Sequence, residues 1–377
     1  MEAKLQTKQS PQMTRVWDLP LRLFHWAMVV AVVVAAITGF LTPEWWLDLH
    51  SVAGYALGVL LAFRLVWGVF GSPYSRFRSF PLKLSDLHQH LISVLHRTPR
   101  IFVGHNPAGA WMIVVLLFLL VALVITGVLA LGGRENLGPL AFVTVYQIGN
   151  ISREVHEIAA LGLLWAVAIH LLGVFVDTRI FKHPVLAVMM IGNKMSSDKR
   201  ANGPDGTHTA RGAVWFASIT GLLIVVGVAM ASVTPSGWRN IQTPADYVAE
   251  CGDCHDAYHP SLRTAAAWRS VMNGLENHYG EDASLDEGTI ADIRAYLVEN
   301  HAGTFDTEVA NRIGRIDTPS FRMTDVRRWK KQHRDINESV YRLKSVGSKV
   351  NCQGCHKDAE SGRFDDDKIH LPSGDKS

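Results

Sequence analysis

The 377-residue sequence has no spare thiol: its four cysteines, Cys251, Cys254, Cys352 and Cys355, all fall in two C-x-x-C-H strings. No hydrolytic, nucleotide-binding or phosphate-binding motif is present, and Gly132-Gly133-Arg134 reads as a loop turn. A clustered basic face is also missing. The basic residues group in loops beside apolar runs, where membrane topology already accounts for them, so nucleic-acid binding is excluded. The first apolar run is followed by no small-residue cleavage site. With Lys4, Lys8, Arg15 and Arg22 ahead of it, it reads as an uncleaved signal anchor.

Hydrophobic residues make up 48% of the chain, and they are concentrated in runs that soluble domains rarely carry. Five runs, at about 23–41, 50–70, 111–131, 157–176 and 213–233, are long enough to cross roughly 30 Å of hydrocarbon as helices. Charge splits the chain as well. Residues 1–212 hold 18 Lys and Arg against 11 Asp and Glu, and residues 213–377 hold 19 against 23, so the net +3 hides a basic half and an acidic half.

Loops 71–110 and 177–212 carry eleven Lys and Arg, whereas 42–49 and 132–156 carry two, Arg134 and Arg153. That bias puts the N-terminus in the cytoplasm of a bacterial inner-membrane protein and everything beyond residue 234 outside. Leu84, Leu87, Leu91 and Val94 recur at helical spacing and predict a helix on the inner membrane surface. His88, His90 and His96 in that loop read as solvated.

The expected fold is all-α. It comprises a cytoplasmic segment 1–22, a four-helix membrane bundle 23–190, a cytoplasmic linker 191–212 and a fifth membrane helix 213–233. A mostly helical periplasmic domain, 240–377, follows.

Cys251-Gly252-Asp253-Cys254-His255 and Cys352-Gln353-Gly354-Cys355-His356 have the form of c-type haem attachment sites. Cysteines three apart on one helical turn meet both haem vinyl groups, and the next residue turns its imidazole to the iron. His255 and His356 are thus proximal ligands of two covalently bound haems c. For the sixth position the residues alone leave His278, His301, His333, His370, Met272 and Met323 open, while His259 is too close to His255 to reach the far face.

Ala257-Tyr258, Trp268-Arg269, the run Gly274 to Asp286 and the stretch Phe364 to Pro372 resemble the bacterial diheme cytochrome c family over about 245–372. The resemblance implies His278 as distal ligand of the first haem and His333 of the second. It also implies a small periplasmic haem or redox protein as partner. His259 departs from the family's usual residue there and reads as a surface histidine.

Histidines within membrane spans are expensive and are functional candidates by default. His25 stands at the cytoplasmic end of the first span, and His50 and His156 at the outer ends of the second and fourth. His170 lies 14 residues beyond His156, about 21 Å deeper on nearly the same helix face. Pairing by depth gives His50 with His156 and His25 with His170, enough for two haems b. Arg64 falls at the inner level, where its charge meets either a haem propionate or, by snorkelling, the inner headgroups of the membrane lipid. Gly54, Gly58 and Gly162 are candidate clearances for the porphyrins.

Arg22-Leu23-Phe24-His25-Trp26, Arg64-Leu65-Val66-Trp67-Gly68, Gly104-His105-Asn106-Pro107-Ala108-Gly109-Ala110 and the His156/His170 pair resemble the bacterial cytochrome b561 family, which includes hydrogenase b-type subunits. The resemblance covers about 14–190 and implies a four-helix bundle with two bis-histidine haems. His105 lies in a matching stretch, but the depth pairing leaves it without an iron, as a candidate propionate or quinone contact.

Three function classes follow: an electron conduit between the quinol pool and a periplasmic partner, a haem enzyme acting on a small molecule such as superoxide, or an anchor with structural haems. Bis-histidine irons have no open position for substrate, which favours the conduit. The same wiring run backwards, from a periplasmic donor into quinone, is the alternative direction. Pyridine haemochrome spectra of the purified protein should give haem b and haem c in a ratio of one, and a ratio far from one would contradict this reading.

Overall fold

The computed structural model describes residues 12–98, 100, 102–196, 206–316 and 322–372. Lys4, Lys8, Lys199, Arg200 and the middle of the expected linker lie outside these. The described chain is mostly helical and separates into two compact units.

The first unit holds most of the membrane-spanning helices. A short strand, β1 (Gln12–Arg15), leads to α1 (Leu19–Phe40), whose start is fixed by the Asp18 carboxylate accepting from Leu21 N at 2.8 Å. The other Asp18 oxygen accepts from Trp67 Nε1 at 2.9 Å, tying the start of α1 to the end of α2 (Leu47–Phe70). Then come α3 (Leu84–Leu95), α4 (Pro107–Arg134), α5 (Tyr146–Phe175), α6 (Val185–Ile191), strand β2 (Asn193–Ser196) and α7 (Gly206–Ala231). The strands pair antiparallel, Gln12 opposite Ser196 and Arg15 opposite Asn193.

Among the described residues, five helices are long and apolar enough to cross a membrane: α1, α2 with its preceding turn, α4, α5 and α7. Met28 and Ala31 of α1, Leu57 and Leu61 of α2, Leu120 and Leu123 of α4 and Leu163 of α5 form one buried cluster. The first four of these helices therefore share a single core. The side chains they turn outward, such as Val30, Val52, Phe118 and Trp165, are large, apolar and exposed, as hydrocarbon contact requires.

The second unit contains Pro43–Asp48, Val128–Arg153 and everything from Gly227. Its C-terminal part has five short helices, α8 (Ala245–Cys251), α9 (Ala265–Asn273), α10 (Glu287–Glu299), α11 (Arg327–Gln332) and α12 (Glu338–Tyr341), linked by single turns. Thr264, Asp286 and Asn337 cap α9, α10 and α12. Tyr247, Trp268, Met272, Leu275, Ile293, Tyr296 and Leu297 make its larger core, and Leu262, Val309, Met323 and Val326 a smaller one.

Three expectations are corrected here. Gly132-Gly133-Arg134 is no loop turn but the last turn of α4, and α5 begins at Tyr146, well before its apolar stretch. Both extensions have tertiary causes that no local pattern carries. The Tyr146 N–H at the open start of α5 donates to Asp306 Oδ2 at 2.9 Å, and Arg134 at the end of α4 pairs with Glu308 at 2.5 Å. His90 is not solvated; it is buried in α3 with its ring edge-on to Phe102.

The two helices approach closely where Gly133 meets Gly149: a Cβ on Gly149 would stand 2.7 Å from Gly133 Cα. Gly173, on the same helix, has nothing within 4 Å of such a Cβ. Gly149→Val should therefore lower the thermal midpoint of the holoprotein, at an overpacking cost of about 1–3 kcal/mol or more. Gly173→Val carries the same propensity change without the clash and should show a markedly smaller drop; equal drops would refute the close approach.

Candidate haem sites

Where α1 ends and α2 begins, here called the upper end of the bundle, His50 in the first turns of α2 faces His156 of α5 with ring centroids 6.1 Å apart. Both Nδ1 atoms are engaged by backbone. His50 Nδ1 lies 3.1 Å from Ala35 O, and His156 Nδ1 lies 3.1 Å from Leu123 O. An N–H donating there leaves Nε2 as the basic nitrogen of each ring.

At the lower end, His25 of α1 and His170 of α5 lie near one another, and among the described residues the buried His25 Nδ1 has no hydrogen-bond partner. Because α5 is unbroken from Tyr146 to Phe175, His156 and His170 ride on one rod.

The two C-x-x-C-H strings are each opposed by one further histidine. His255 and His278 have ring centroids 6.3 Å apart, and His356 and His333 6.1 Å apart. Tyr258 stacks on His255 at 4.9 Å and Trp329 on His333 at 4.3 Å. His333 Nδ1 is 2.9 Å from Trp329 O, and His255 Nδ1 is 2.7 Å from Asp256 O. His278 is held by a tight reversal in which Tyr279 and Gly280 both have positive φ, and its N–H donates to Glu281 O.

A metal–imidazole bond of roughly 2 Å on each face, plus half the depth of each ring, places two trans imidazole centroids about 6 Å apart. The spacings of 6.1, 6.3 and 6.1 Å for His50–His156, His255–His278 and His333–His356 are compatible with that requirement. Burial, with Glu250 nearby, pushes the Cys251 thiol up to about 11, and burial with Asp256 and Cys355 pushes Cys352 up to about 12. Among the described residues no group of three or more His, Cys, Asp or Glu side chains could hold a metal ion.

The other candidates lie elsewhere. Met272 and Met323 are core residues, His301 Nδ1 turns to Val298 O and His370 Nδ1 to Lys368 O. His259 is not at the surface. It is buried against Phe305 and beside Gly362, its Nδ1 2.8 Å from Ser261 Oγ, and burial lowers its pKa to about 4. Arg64 does not snorkel: it is buried, donates to Ser75 O at 3.1 Å and lies 4.5 Å over the Phe77 ring. Of the three glycines named as clearances, Gly54 faces open space, while Gly58 and Gly162 touch Val124 and Leu119.

His105 sits between Trp17 and Phe80, with centroids 4.5 and 4.6 Å away. Burial, together with the Arg64 charge, pushes its pKa down to about 3. It edges a lower-end cavity of about 160 Å³ that also touches Trp17, Asn106, His183 and Lys194. Asp177 reaches His183 at 3.4 Å and Asn106 at 3.5 Å.

Residues 16–192 match the family described as prokaryotic cytochrome b561, and residues 247–364 match dihaem cytochrome c. The N-terminal segment thus matches the cytochrome b561 family and the C-terminal segment the dihaem cytochrome c family. Among relatives of the b561 segment, a probable Ni/Fe-hydrogenase B-type cytochrome subunit of Azotobacter vinelandii is 24% identical, covering 53% of this chain and 98% of the relative. A protein of the same description from Cupriavidus necator is 26% identical over 52% and 93%. For the dihaem segment, a diheme cytochrome type c from Shewanella baltica OS155 is 35% identical, covering 36% of this chain and 97% of its own, with a TM-score of 0.28. The protein is a membrane electron-transfer cytochrome carrying haem b and haem c.

What reading residue types missed is the scaffold behind the upper pair: Thr38 and Thr126, each with its Oγ 3.1 Å from one of the two Nδ1 atoms. Their signal was present as a repeated Ile-Thr-Gly at 37–39 and 125–127.

The lower and upper pairs generate a direct test. His170→Ala should remove one haem b and His156→Ala the other, read as loss of different components of the α-band at low temperature. In the dihaem segment, His278→Ala or His333→Ala should each open one iron to carbon monoxide while the native reduced protein binds none. Loss of the same haem b in both membrane variants would break the pairing.

Proposed function

We propose that the protein carries electrons between the quinol pool and a small periplasmic redox protein through two haems b and two haems c. His50 with His156 and His25 with His170 hold the membrane pair; His255 with His278 and His356 with His333 hold the covalent pair, attached at Cys251, Cys254, Cys352 and Cys355. Arg64 keeps the rest of its five-donor fork for a propionate. The observation that carries the reading is the recurrence, in both segments of one chain, of histidine pairs spaced 6.1–6.3 Å apart. Iron alternating between ferric and ferrous is the chemistry such a site supplies, and two axial imidazoles leave no position for substrate. An electron conduit needs no such position; a small-molecule enzyme does.

The same reading puts the lower end at the cytoplasmic face of a bacterial inner membrane and residues 240–377 in the periplasm, as the charge bias of the loops favours. The domain boundaries follow: bundle 23–190, linker 191–212 and fifth span 213–233. The lower-end cavity supports quinol entry there, since Trp17 and His105 offer a hydroxylated ring flat apolar contact and the His183–Asp177 pair offers its hydroxyl a proton acceptor.

Stopped-flow mixing of the oxidised protein with a quinol analogue should reduce the haems b first and the haems c after them. The relatives' description as hydrogenase B-type cytochrome subunits favours a second reading, in which a periplasmic donor reduces the haems c first and quinone is the acceptor. That order of reduction, with no response to quinol, would reverse the proposed direction.

A further inference from the structure

The upper histidines are held by two copies of the same device. On α1, Thr38 Oγ donates its only hydrogen to Val34 O at 2.8 Å, so its lone pairs are what face His50 Nδ1 at 3.1 Å. On α4, Thr126 Oγ donates to Ala122 O at 2.7 Å and faces His156 Nδ1 at 3.1 Å. In each copy the second acceptor for Nδ1–H is the carbonyl three residues before the threonine, Ala35 or Leu123. In each, the residue after the threonine is a glycine against which the ring lies: a Cβ on Gly39 would stand 3.1 Å from His50 Cε1, and one on Gly127 3.2 Å from His156 Cε1. Both elements sit in an Ile-Thr-Gly tripeptide, Ile37 to Gly39 and Ile125 to Gly127.

We propose that these two tripeptides are positioning elements for the upper haem b, fixing the tautomer and plane of both axial imidazoles and setting that haem's potential. The inference rests on the assignment of His50 and His156 as ligands.

The physical chain is short. A threonine already donating to its own helix accepts only, so Nδ1 must carry the proton and Nε2 must face the metal. An Nδ1–H shared between two acceptors makes the imidazole a stronger donor to iron, which favours the ferric state. Removing one acceptor weakens that donation and raises the potential. The glycine admits the ring edge against the helix backbone, so the plane of each imidazole is set by α1 or α4 and not by the helix that carries the histidine. Thr38 and Gly39 stand to His50 of the next span as Thr126 and Gly127 stand to His156, so the upper site is built from a repeated two-helix unit. The lower pair, His25 and His170, has no such arrangement among the described contacts.

The test is a redox titration of the full-length holoprotein with Thr38→Val, Thr126→Val and the matching serine variants. Each valine variant should keep two haems b and shift one midpoint potential upward. The shifted haem should be the same in both, and serine, which retains the acceptor, should restore the wild-type value. Gly39→Ala and Gly127→Ala should change the ferric g-values of that same haem. Should a valine variant lose a haem outright, loss of the same haem by both, with retention in the serine variants, supports the proposal equally. Unchanged potentials, shifts on different haems, or serine behaving like valine would overturn it. His50→Ala and His156→Ala separate the two levels of the argument: if either keeps both haems b, the ligand assignment itself fails.

Discussion

For a histidine inside an apolar bundle, each buried ring nitrogen left unpaired costs several kcal/mol, a cost that His25 Nδ1 carries at the lower end and the upper pair avoids. Helix backbone cannot ordinarily help, since its carbonyls already accept within the helix. At the upper end two carbonyls are shared with imidazoles, and two threonines that bond back onto their own helices supply the rest. That solution consumes Nδ1 on both rings and, under the proposed ligation, leaves Nε2 of each for the iron. The bundle packing serves the same end: Leu57, Leu120, Leu123 and Leu163 lock the helices that carry the rings and their acceptors.

Much of this was legible in the sequence, for physical reasons. Hydrocarbon thickness imposes a run length, so the membrane spans stand out by composition. A C-x-x-C-H spacing lies among neighbouring residues, so the two strings Cys251 to His255 and Cys352 to His356 are visible without tertiary information. Depth along a helix is a simple count, and the histidines it brought level, His50 and His156, are neighbours in the structure.

The misreadings share a different origin. Arg134 and Tyr146 sit in polar sequence that looks like loop, yet Glu308 and Asp306, more than 150 residues away, complete the helix ends there. His90 looks solvated because it lies in a polar loop, and His259 reads as a surface residue because it departs from the family pattern, while what buries them, Phe102 and Phe305, arrives from other elements. Arg64 lies near a span end, and only the loop folded over it, through Ser75 and Phe77, keeps it from the headgroups. Local pattern carries length, spacing and depth; it does not carry which distant side chain closes a site.

The unbroken helix α5 has a consequence for biogenesis. Under the proposed ligation it contributes one histidine to each membrane site, His156 above and His170 below, while His25 and His50 belong to the first two spans. A nascent chain that has inserted α1, α2 and α4 therefore holds half of each cage and neither whole one. Bis-histidine ligation must wait for the fourth span, and then both cages are completed by a single insertion event. Premature termination before α5 leaves each membrane site with one of its two proposed histidines, so no truncated product carries a bis-histidine haem b.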